Sequence, residues 1–166
     1  FGIFDSGIGG LTVASAVKQI LPNEQIIYFG DTFHLPYGDK SKETIQYYAT
    51  SITNFLLEKN CKLILIACNT ASSNAFDQIK AITNNNVEAI DVINPIVNYI
   101  AENTNYNKIG VIGTKGTINS QLYPKKIQEK KPEASVVSLA TPLLVPMIEE
   151  GFIYDDISNA IIRKYL

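Results

Sequence analysis

The feature that most constrains the fold of this sequence is the alternation of short apolar segments with stretches of helical period along the chain. Nearly continuous apolar segments are typical of strands buried on both faces, as in parallel sheets covered by helices. The alternation therefore indicates an α/β protein built from parallel βαβ units rather than a sandwich or a helix bundle. Strands are predicted at Phe1–Asp5, Gln25–Asp31, Leu63–Cys68, Glu88–Ile93, Lys108–Thr114 and Ser135–Ala140.

The clearest helix is predicted over Lys42–Lys59, with Ser41 as its N-cap. One face of this helix is apolar and consists of Ile45, Tyr48, Ile52, Phe55 and Leu56. The remaining helices are predicted at Leu11–Ile20, Ala71–Thr83, Pro95–Asn103 and Thr117–Lys130. Pro124 predicts a kink or a split in the helix Thr117–Lys130. The run Asn84-Asn85-Asn86 is interpreted as a solvated turn.

A division into two lobes is predicted at Asn94-Pro95, since a residue before proline resists helix and a connection could cross over there. The first lobe then comprises residues 1–93 and the second residues 94–166. The sequence begins at Phe1 in mid-strand by its pattern and stops at Leu166 inside an apparent helix. We therefore expect a chain that is cut at both ends.

Charge and cysteine content narrow the class of protein. The formal net charge is -2 and only 18% of the residues are charged, so nothing suggests a polybasic surface for nucleic acid. No apolar run approaches the ~20 residues of a membrane span and no signal peptide is evident, so we expect a cytoplasmic protein. Two cysteines and one histidine are too few for a closed zinc site, and we expect no metal and two free thiols.

Ligands of open parallel sheets bind beyond the carboxyl ends of the strands, so the loops there are the first place to look for function. The loop after the first strand runs from Asp5 to Thr12 and contains Gly7, Gly9 and Gly10. Its free amides and the following helix start could hold an anion. However, the glycine spacing is not G-x-G-x-x-G and the acidic residue precedes the glycines, so we expect no nucleotide cofactor.

Two further loops leave alternatives open. The segment Gly30–Gly38 could hold a substrate or cover a pocket, or it could be a packed surface loop in which Pro36 and Gly38 serve as turn residues. After the fifth strand, the hydroxyls of Thr114 and Thr117 at another helix start suit a carboxylate. They could equally be helix N-caps without a ligand.

The loop Ala67–Ser72 is the most informative, because it places Cys68 directly between a buried strand and a helix. Unpaired amides at a helix N-terminus stabilise a thiolate, and we expect them to lower the pKa of Cys68 from about 8.5 toward neutrality. A thiolate can act as a base. The alternative is that Cys68 is merely a small buried apolar residue.

Together these loops resemble the glutamate racemase family of the aspartate/glutamate racemase superfamily. The motifs that carry the resemblance are FDSGIGGLTV, YFGDTFHLPYG, ACNTASS, GTKGT and LLVPMIEEG, which extend from Phe1 to Gly151. The resemblance implies a two-lobed α/β fold and cofactor-independent interconversion of L- and D-glutamate, which supplies D-glutamate for bacterial peptidoglycan. It also implies glutamate as the small-molecule partner, and it leaves a homodimer open.

By the same resemblance, Cys68 is one of two thiols that flank the substrate α-carbon. Asp5 would assist proton transfer or hold the substrate ammonium. Preorganised donors around the α-carboxylate would stabilise the developing negative charge. The residues that the resemblance places on glutamate are Asp5, Ser6, Pro36, Tyr37, Gly38, Asn69, Thr70, Thr114 and Thr117.

The sequence departs from the family in one respect: the C-T-H motif that carries the second thiol and its histidine neighbour does not occur. Cys61 is expected at the opposite end of the third strand, roughly 20 Å from Cys68 at ~3.3 Å per residue, and so cannot replace that thiol. His34 is interpreted as a loop residue. We expect the 166 residues to be part of a longer racemase and to be inactive alone, although a natural single-cysteine variant is the other explanation.

Three other functions stay open on the sequence. The first is a relative that acts on aspartate or hydantoins. The second is a single-thiol decarboxylase or isomerase of the same superfamily. The third is a non-catalytic module that captures a small anion through the Gly7–Gly10 loop, Thr114 and Thr117.

Overall fold

The computed structural model describes residues 1–84, 86–103, 105–152 and 156–165. Six strands are present in these ranges, and each lies inside the segment in which a strand was predicted. They are β1 (Gly2–Asp5), β2 (Ile27–Gly30), β3 (Leu63–Ile66), β4 (Glu88–Asp91), β5 (Lys108–Gly113) and β6 (Ser135–Ala140).

Helices separate the strands, as the α/β pattern predicts. They are α1 (Leu11–Ile20), α2 (Lys42–Glu58), α3 (Asn69–Thr83), α4 (Ile93–Asn103), α5 (Lys115–Asn119), α6 (Leu122–Lys130), α7 (Leu144–Glu149) and α8 (Asp156–Tyr165). Short 3₁₀ helices at Thr32–His34 and Tyr37–Asp39 follow β2. Neither they nor α7 was predicted, because segments of three to six residues are too short to display a period. Of the predicted Asn84–Asn86 turn, Asn85 lies outside the described residues, as does Leu166 beyond α8.

The predicted helix Thr117–Lys130 is split, as expected from its proline, but the break precedes that residue. Gln121 adopts a left-handed backbone conformation with φ of 54° between α5 and α6. Pro124 is the third residue of α6, in the first turn, where a backbone N–H has no helical acceptor. The missing N–H therefore costs α6 no hydrogen bond.

The strands form two parallel sheets. The larger has the order β2-β1-β3-β4, and the smaller pairs β5 with β6. In the larger sheet Asp5 is paired with Gly30, and Ile66 is paired with both Phe4 and Asp91. The carboxyl ends of its strands therefore meet along one edge, and the loops that follow them converge there.

Burial follows the predicted pattern. Phe4, Ile64 and Ile66 are fully buried in the larger sheet, and each such side chain stabilises the fold by about 2 kcal/mol. Of the apolar face predicted for α2, Ile45, Ile52 and Leu56 are buried, Tyr48 is half-buried and Phe55 is exposed. Ser41 caps α2 by accepting a hydrogen bond from the Thr44 amide at 3.2 Å. A second core, around Ile93, Val97, Ile127 and Ala134, packs beneath β5 and β6.

The expectation that Asn94 stays out of a helix is wrong. Helix α4 begins at Ile93 and continues through Asn94 and Pro95. The carboxylate of Asp91, at the end of β4, accepts hydrogen bonds from the amides of Ile93 and Asn94, each at 2.6 Å. This cap holds Asn94 in the helix, and Pro95 lies in the first turn, where its missing N–H is harmless. The division into lobes 1–93 and 94–166 stays a prediction.

In the described part of the chain, every helix is too short or too polar to cross a membrane.

Candidate active site

The glycine-rich loop after β1 folds around the carboxylate of Asp5. One oxygen, Oδ2, accepts hydrogen bonds from the amides of Gly7 at 3.0 Å and Gly10 at 3.1 Å. A Cβ at Gly10 would lie 2.6 Å from that of Asp5, so this close approach requires a glycine. Two of the amides that could have cradled an external anion are therefore occupied by the protein's own carboxylate.

Cys68 lies where the sequence predicts it, between β3 and the start of α3. Its sulfur serves as the N-cap and accepts a hydrogen bond from the Ala71 amide at 3.4 Å. The thiol donates to the hydroxyl of Ser6 at 3.5 Å. Only 5% of Cys68 is exposed. The thiol therefore joins the loop after β3 to the loop after β1.

The expected lowering of the Cys68 pKa is wrong for the ligand-free protein. Burial of the thiol and, after it, the nearby carboxylate of Asp5 raise its pKa to about 11, while hydrogen bonds with Ser6 and Ala71 oppose the rise. The free energy lost when a thiolate is removed from water exceeds the stabilisation that these hydrogen bonds and the helix N-terminus provide. The helix start can be recognised in the sequence, but the depth at which Cys68 is buried and its proximity to the Asp5 carboxylate cannot.

The same surroundings disfavour negative charge on neighbouring groups. Burial, followed by Asp5 and Cys68, raises the pKa of Tyr28 to about 12. The hydroxyl of Tyr28 donates to the Gly7 carbonyl at 2.8 Å and so holds the glycine loop. Burial, Asp5 and Glu150 raise the pKa of Glu149. An electronegative environment of this kind favours a cationic group on a ligand.

These loops enclose a cavity of about 290 Å³. Most of the residues predicted to contact glutamate line it, and Leu35, Val145 and Glu149 line it as well. The predicted members are Asp5, Ser6, Pro36, Tyr37, Gly38, Cys68, Asn69, Thr70 and Thr114. A larger polar depression of about 460 Å³ lies against α3 and α6, but it contains neither the thiol nor Asp5. The smaller cavity is therefore the candidate active site.

Three threonine hydroxyls form a cluster beside this cavity. Thr70, in the first turn of α3, lies 2.8 Å from the hydroxyl of Thr114 and 3.3 Å from that of Thr117. Thr114 caps α5 by accepting a hydrogen bond from the Thr117 amide at 3.3 Å, which is one of the two roles that the sequence left open, whereas Thr117 lies inside α5 and is not a cap. Thr117 is buried and lies outside the cavity lining, where it supports the other two hydroxyls.

The segment Pro36–Gly38 forms one wall. Tyr37 is 1% exposed, and its hydroxyl donates to Asp31 rather than into the cavity, at 2.6 Å. A Cβ at Gly38 would lie 2.6 Å from that of Thr114, so this wall packs directly against the threonine cluster.

Glu149 is a cavity residue that the sequence reasoning missed. It ends α7, and its carboxylate Oε1 lies 2.6 Å from the position that a Cβ on Gly7 would occupy. It belongs to the motif LLVPMIEEG, which was noted only for its resemblance. Nothing local distinguishes Glu149 from Glu150, because the choice depends on how α7 packs.

Cys61 and His34 lie elsewhere. Cys61 precedes β3 and is buried in the core beside Gly2, at the other end of the strand from Cys68. Both cysteines are free. The Nδ1 atom of His34 lies 2.8 Å from Asp31, and its ring stacks on Tyr48 with a centroid separation of 4.0 Å. Neither residue lines the Cys68 cavity.

A buried thiol, two carboxylates and a group of hydroxyls therefore surround one small cavity at the carboxyl edge of a parallel sheet. This arrangement defines the class: an α/β protein with an acid–base site for a small polar molecule. The chain belongs to the Asp/Glu/Hydantoin racemase family, whose family model matches residues 11–152. The resemblance inferred from the loop motifs is thereby confirmed.

Individual relatives agree with this assignment. A glutamate racemase of Geobacter metallireducens is 44% identical over 165 residues, which are 99% of this chain and 60% of the relative. A glutamate racemase of Chlorobaculum tepidum is 46% identical over the same number of residues, again 60% of the relative. The chain thus spans about 60% of the length of the curated relatives that it matches.

The fold is also that of solved glutamate racemases. The crystal structure of the Francisella tularensis glutamate racemase in complex with D-glutamate matches with a TM-score of 0.94 and 45% identity, over 99% of this chain and 61% of that one. The predicted α/β fold with parallel sheets flanked by helices is therefore confirmed.

Proposed function

We propose that this chain provides the substrate-binding half and one catalytic thiol of a glutamate racemase. The observation that carries the proposal is the Cys68 thiol, which lies on a cavity together with Asp5 and the hydroxyls of Ser6, Thr70 and Thr114. The D-glutamate named in the Francisella structure supports the choice of substrate, since that protein has nearly the same fold.

Glutamate fits the charge distribution of the cavity. Its ammonium would lie near the carboxylates of Asp5 and Glu149. Burial and, after it, the charge of Asp5 raise the pKa of Glu149, so a cation there would be favoured. Its carboxylates would accept hydrogen bonds from the hydroxyls of Ser6 and Thr114 and from the amide of Asn69. The cavity thus offers carboxylates to a cation and hydrogen-bond donors to anions.

The substrate would also change the state of the thiol. Burial and Asp5 raise the pKa of Cys68 to about 11 and so keep the thiol protonated at neutral pH. An ammonium beside Asp5 would offset that carboxylate and stabilise a thiolate, which lowers the pKa of Cys68 toward the working range. The base would therefore form only when an amino acid is bound.

In the proposed reaction, the Cys68 thiolate takes the α-proton of one enantiomer and becomes a thiol. The electron pair of the broken Cα–H bond is delocalised into the α-carboxylate, where hydroxyl and amide donors stabilise the charge. A second thiol on the opposite face then gives its proton to the α-carbon and is left as a thiolate. The reverse reaction exchanges the two roles, and no cofactor takes part.

Cys61 does not meet the requirement for the second thiol, since it lies in the core at the far end of β3. The relatives are longer than this chain, and we propose that a segment corresponding to their remaining 40% supplies the second thiol. The 166 residues alone would then not racemise glutamate. The complete protein would work in the cytoplasm, where it would supply D-glutamate for peptidoglycan, and a homodimer is compatible with this role.

The family description also covers aspartate and hydantoins, so substrate choice is the point to test. The protein expressed from its natural reading frame would be incubated with L-glutamate, D-glutamate, L-aspartate or a hydantoin, and the optical signal followed by circular dichroism. We expect both glutamate enantiomers to converge to a racemic mixture. Turnover of aspartate or hydantoin without glutamate would overturn the proposed substrate, and no turnover of any would favour the non-catalytic module.

A further inference from the structure

The carboxylate of Asp31 has no part in the chemistry proposed above, yet it is one of the most highly bonded side chains near the site. Asp31 directly follows β2, is 7% exposed and lies outside the lining of the Cys68 cavity. Its Oδ2 accepts the hydroxyl of Tyr37 at 2.6 Å, and its two oxygens lie 2.8 Å and 3.0 Å from Nδ1 of His34. A buried carboxylate with these partners is held in one orientation.

Tyr37 connects Asp31 to the cavity. Tyr37 is one of the residues that line the cavity, but its hydroxyl donates to Asp31, which lies outside the lining. Burial and this hydrogen bond raise the pKa of Tyr37 above its ordinary value, so the phenol stays protonated and donating. The orientation of the ring, and of the Pro36–Gly38 backbone attached to it, therefore depends on the carboxylate.

Asp31 is itself anchored on two sides. Its amide donates to the carbonyl of Asp5 at 2.9 Å, which ties it to the end of β1. On the other side, the ring of His34 stacks on Tyr48 of α2, with the two planes 20° apart. We call Asp31, His34 and Tyr37 the clamp. Through these residues, the position of the Pro36–Gly38 wall depends on the positions of β1 and α2.

The wall is in close contact with the threonine cluster. Gly38 packs so closely on Thr114 that an added Cβ would lie 2.6 Å from the threonine Cβ. If Tyr37 lost its anchor and shifted, Gly38 would either press on the threonine cluster or leave it. In both cases the distances between the donors around the cavity would change.

We propose that Asp31 is a positioning residue for glutamate binding, which acts through the Tyr37 hydroxyl to hold the Pro36–Gly38 wall against Thr114. This inference rests on the proposed function, since it concerns binding at the same site. Asp31 touches no substrate in this account. Instead, Asp31 sets the position of the Pro36–Gly38 wall, and this wall contacts the substrate.

The test is a double-mutant cycle in the protein expressed from its natural reading frame. Asp31→Asn weakens the acceptor, Tyr37→Phe removes the donor, and the double variant removes both. We expect each single variant to raise KM for glutamate by about tenfold, as loss of a hydrogen bond to a buried charge does. The kcat should change much less, and the double variant should be no worse than either single variant.

Asp39→Asn is the matched control. Asp39 lies in the same loop and pairs with Lys115 at 3.0 Å, but both side chains are 54% exposed. An exposed pair contributes little, so KM should stay within about twofold of the wild type. An unchanged KM in Asp31→Asn, or single effects that multiply in the double variant, would overturn the positioning role. If Asp31→Asn does not fold, Tyr37→Phe breaks the same bond from its other end.

Hydrogen exchange separates this inference from the proposed function. The Lys40 amide donates to the Tyr37 carbonyl at 3.1 Å and so reports on the wall without any substrate. Exchange at Lys40 should be faster in Asp31→Asn and Tyr37→Phe than in the wild type, while the Lys59 amide at the end of α2 is unaffected. If the wild type did not turn over glutamate, the proposed function would be refuted. If exchange at Lys40 were the same in both variants as in the wild type, the positioning role of Asp31 would be refuted.

Discussion

The Cys68 thiol donates a hydrogen bond to the Ser6 hydroxyl at 3.5 Å, although the two residues are 62 positions apart in the chain. They meet because β1 and β3 are neighbours in the parallel sheet, with Phe4 paired with Ile66. The candidate site therefore depends on the strand order as much as on any single motif. Its electrostatics follow from the same pairing, which brings Asp5 close to the thiol.

The first prediction concerns the ionisation of Cys68. Iodoacetamide should react with Cys68 in the ligand-free protein with an apparent pKa of about 11, measured in a Cys61→Ala background so that one thiol is followed. Asp5→Asn should lower this pKa because it removes the second cause of the rise, whereas Asp39→Asn should not. An apparent pKa near 7 in the wild type would show that the helix start, and not burial, controls the thiol.

The same shift makes stability depend on pH. Because the pKa of Cys68 is raised in the folded state from 9.0 to about 11, folding keeps the thiol proton that the unfolded chain loses more readily. The free energy of unfolding should therefore fall as the pH rises from about 9 through about 11, by on the order of 2–3 kcal/mol. Urea unfolding of the wild type and of Cys68→Ser isolates this contribution, which the serine variant should lack.

A second prediction tests the packing of Gly38. Gly38→Ala should lower the free energy of unfolding by about 1–3 kcal/mol and weaken glutamate binding, because the new methyl group meets Thr114. Gly110→Ala is the matched control, since no atom lies within 4 Å of its added Cβ, and it should be neutral or slightly stabilising. Equal losses for both variants in urea unfolding would contradict the packing described here.

A third prediction separates two adjacent carboxylates. Glu149→Gln should raise KM for glutamate by about tenfold, because a carboxylate that faces the substrate ammonium is lost. Glu150→Gln, whose side chain is exposed one residue further along, should leave KM within about twofold. The reverse ranking in steady-state kinetics would place the ammonium elsewhere.

Periodicity and loop motifs were sufficient to predict the strands, the longer helices and the position of Cys68 at a helix start. These features depend on neighbours within a few residues along the chain, so the sequence displays them directly. The capped start of α4 shows the limit of such rules. Asn94 precedes a proline and yet is helical, because Asp91 supplies the cap that a general preference does not include.

The direction of the Cys68 pKa shift, the presence of Glu149 in the cavity and the bond between Asp31 and Tyr37 could not be predicted in the same way. Each depends on the depth of burial or on contacts between elements distant in sequence, as when α7 brings Glu149 beside Gly7. Local propensity contains no information on such distances. Motifs can therefore predict which residues meet at a cavity, but not the electrostatics of that cavity.

The central claim is that the Cys68 thiol exchanges the α-proton of glutamate. The direct measurement is solvent deuterium incorporation at the α-carbon of L- and D-glutamate, followed by proton NMR, with the protein expressed from its natural reading frame. We predict incorporation into both enantiomers by the wild type and by Cys61→Ala, and loss of incorporation in Cys68→Ser into the enantiomer whose α-proton faces Cys68. Incorporation by Cys68→Ser at the wild-type rate with both enantiomers would contradict this role of Cys68.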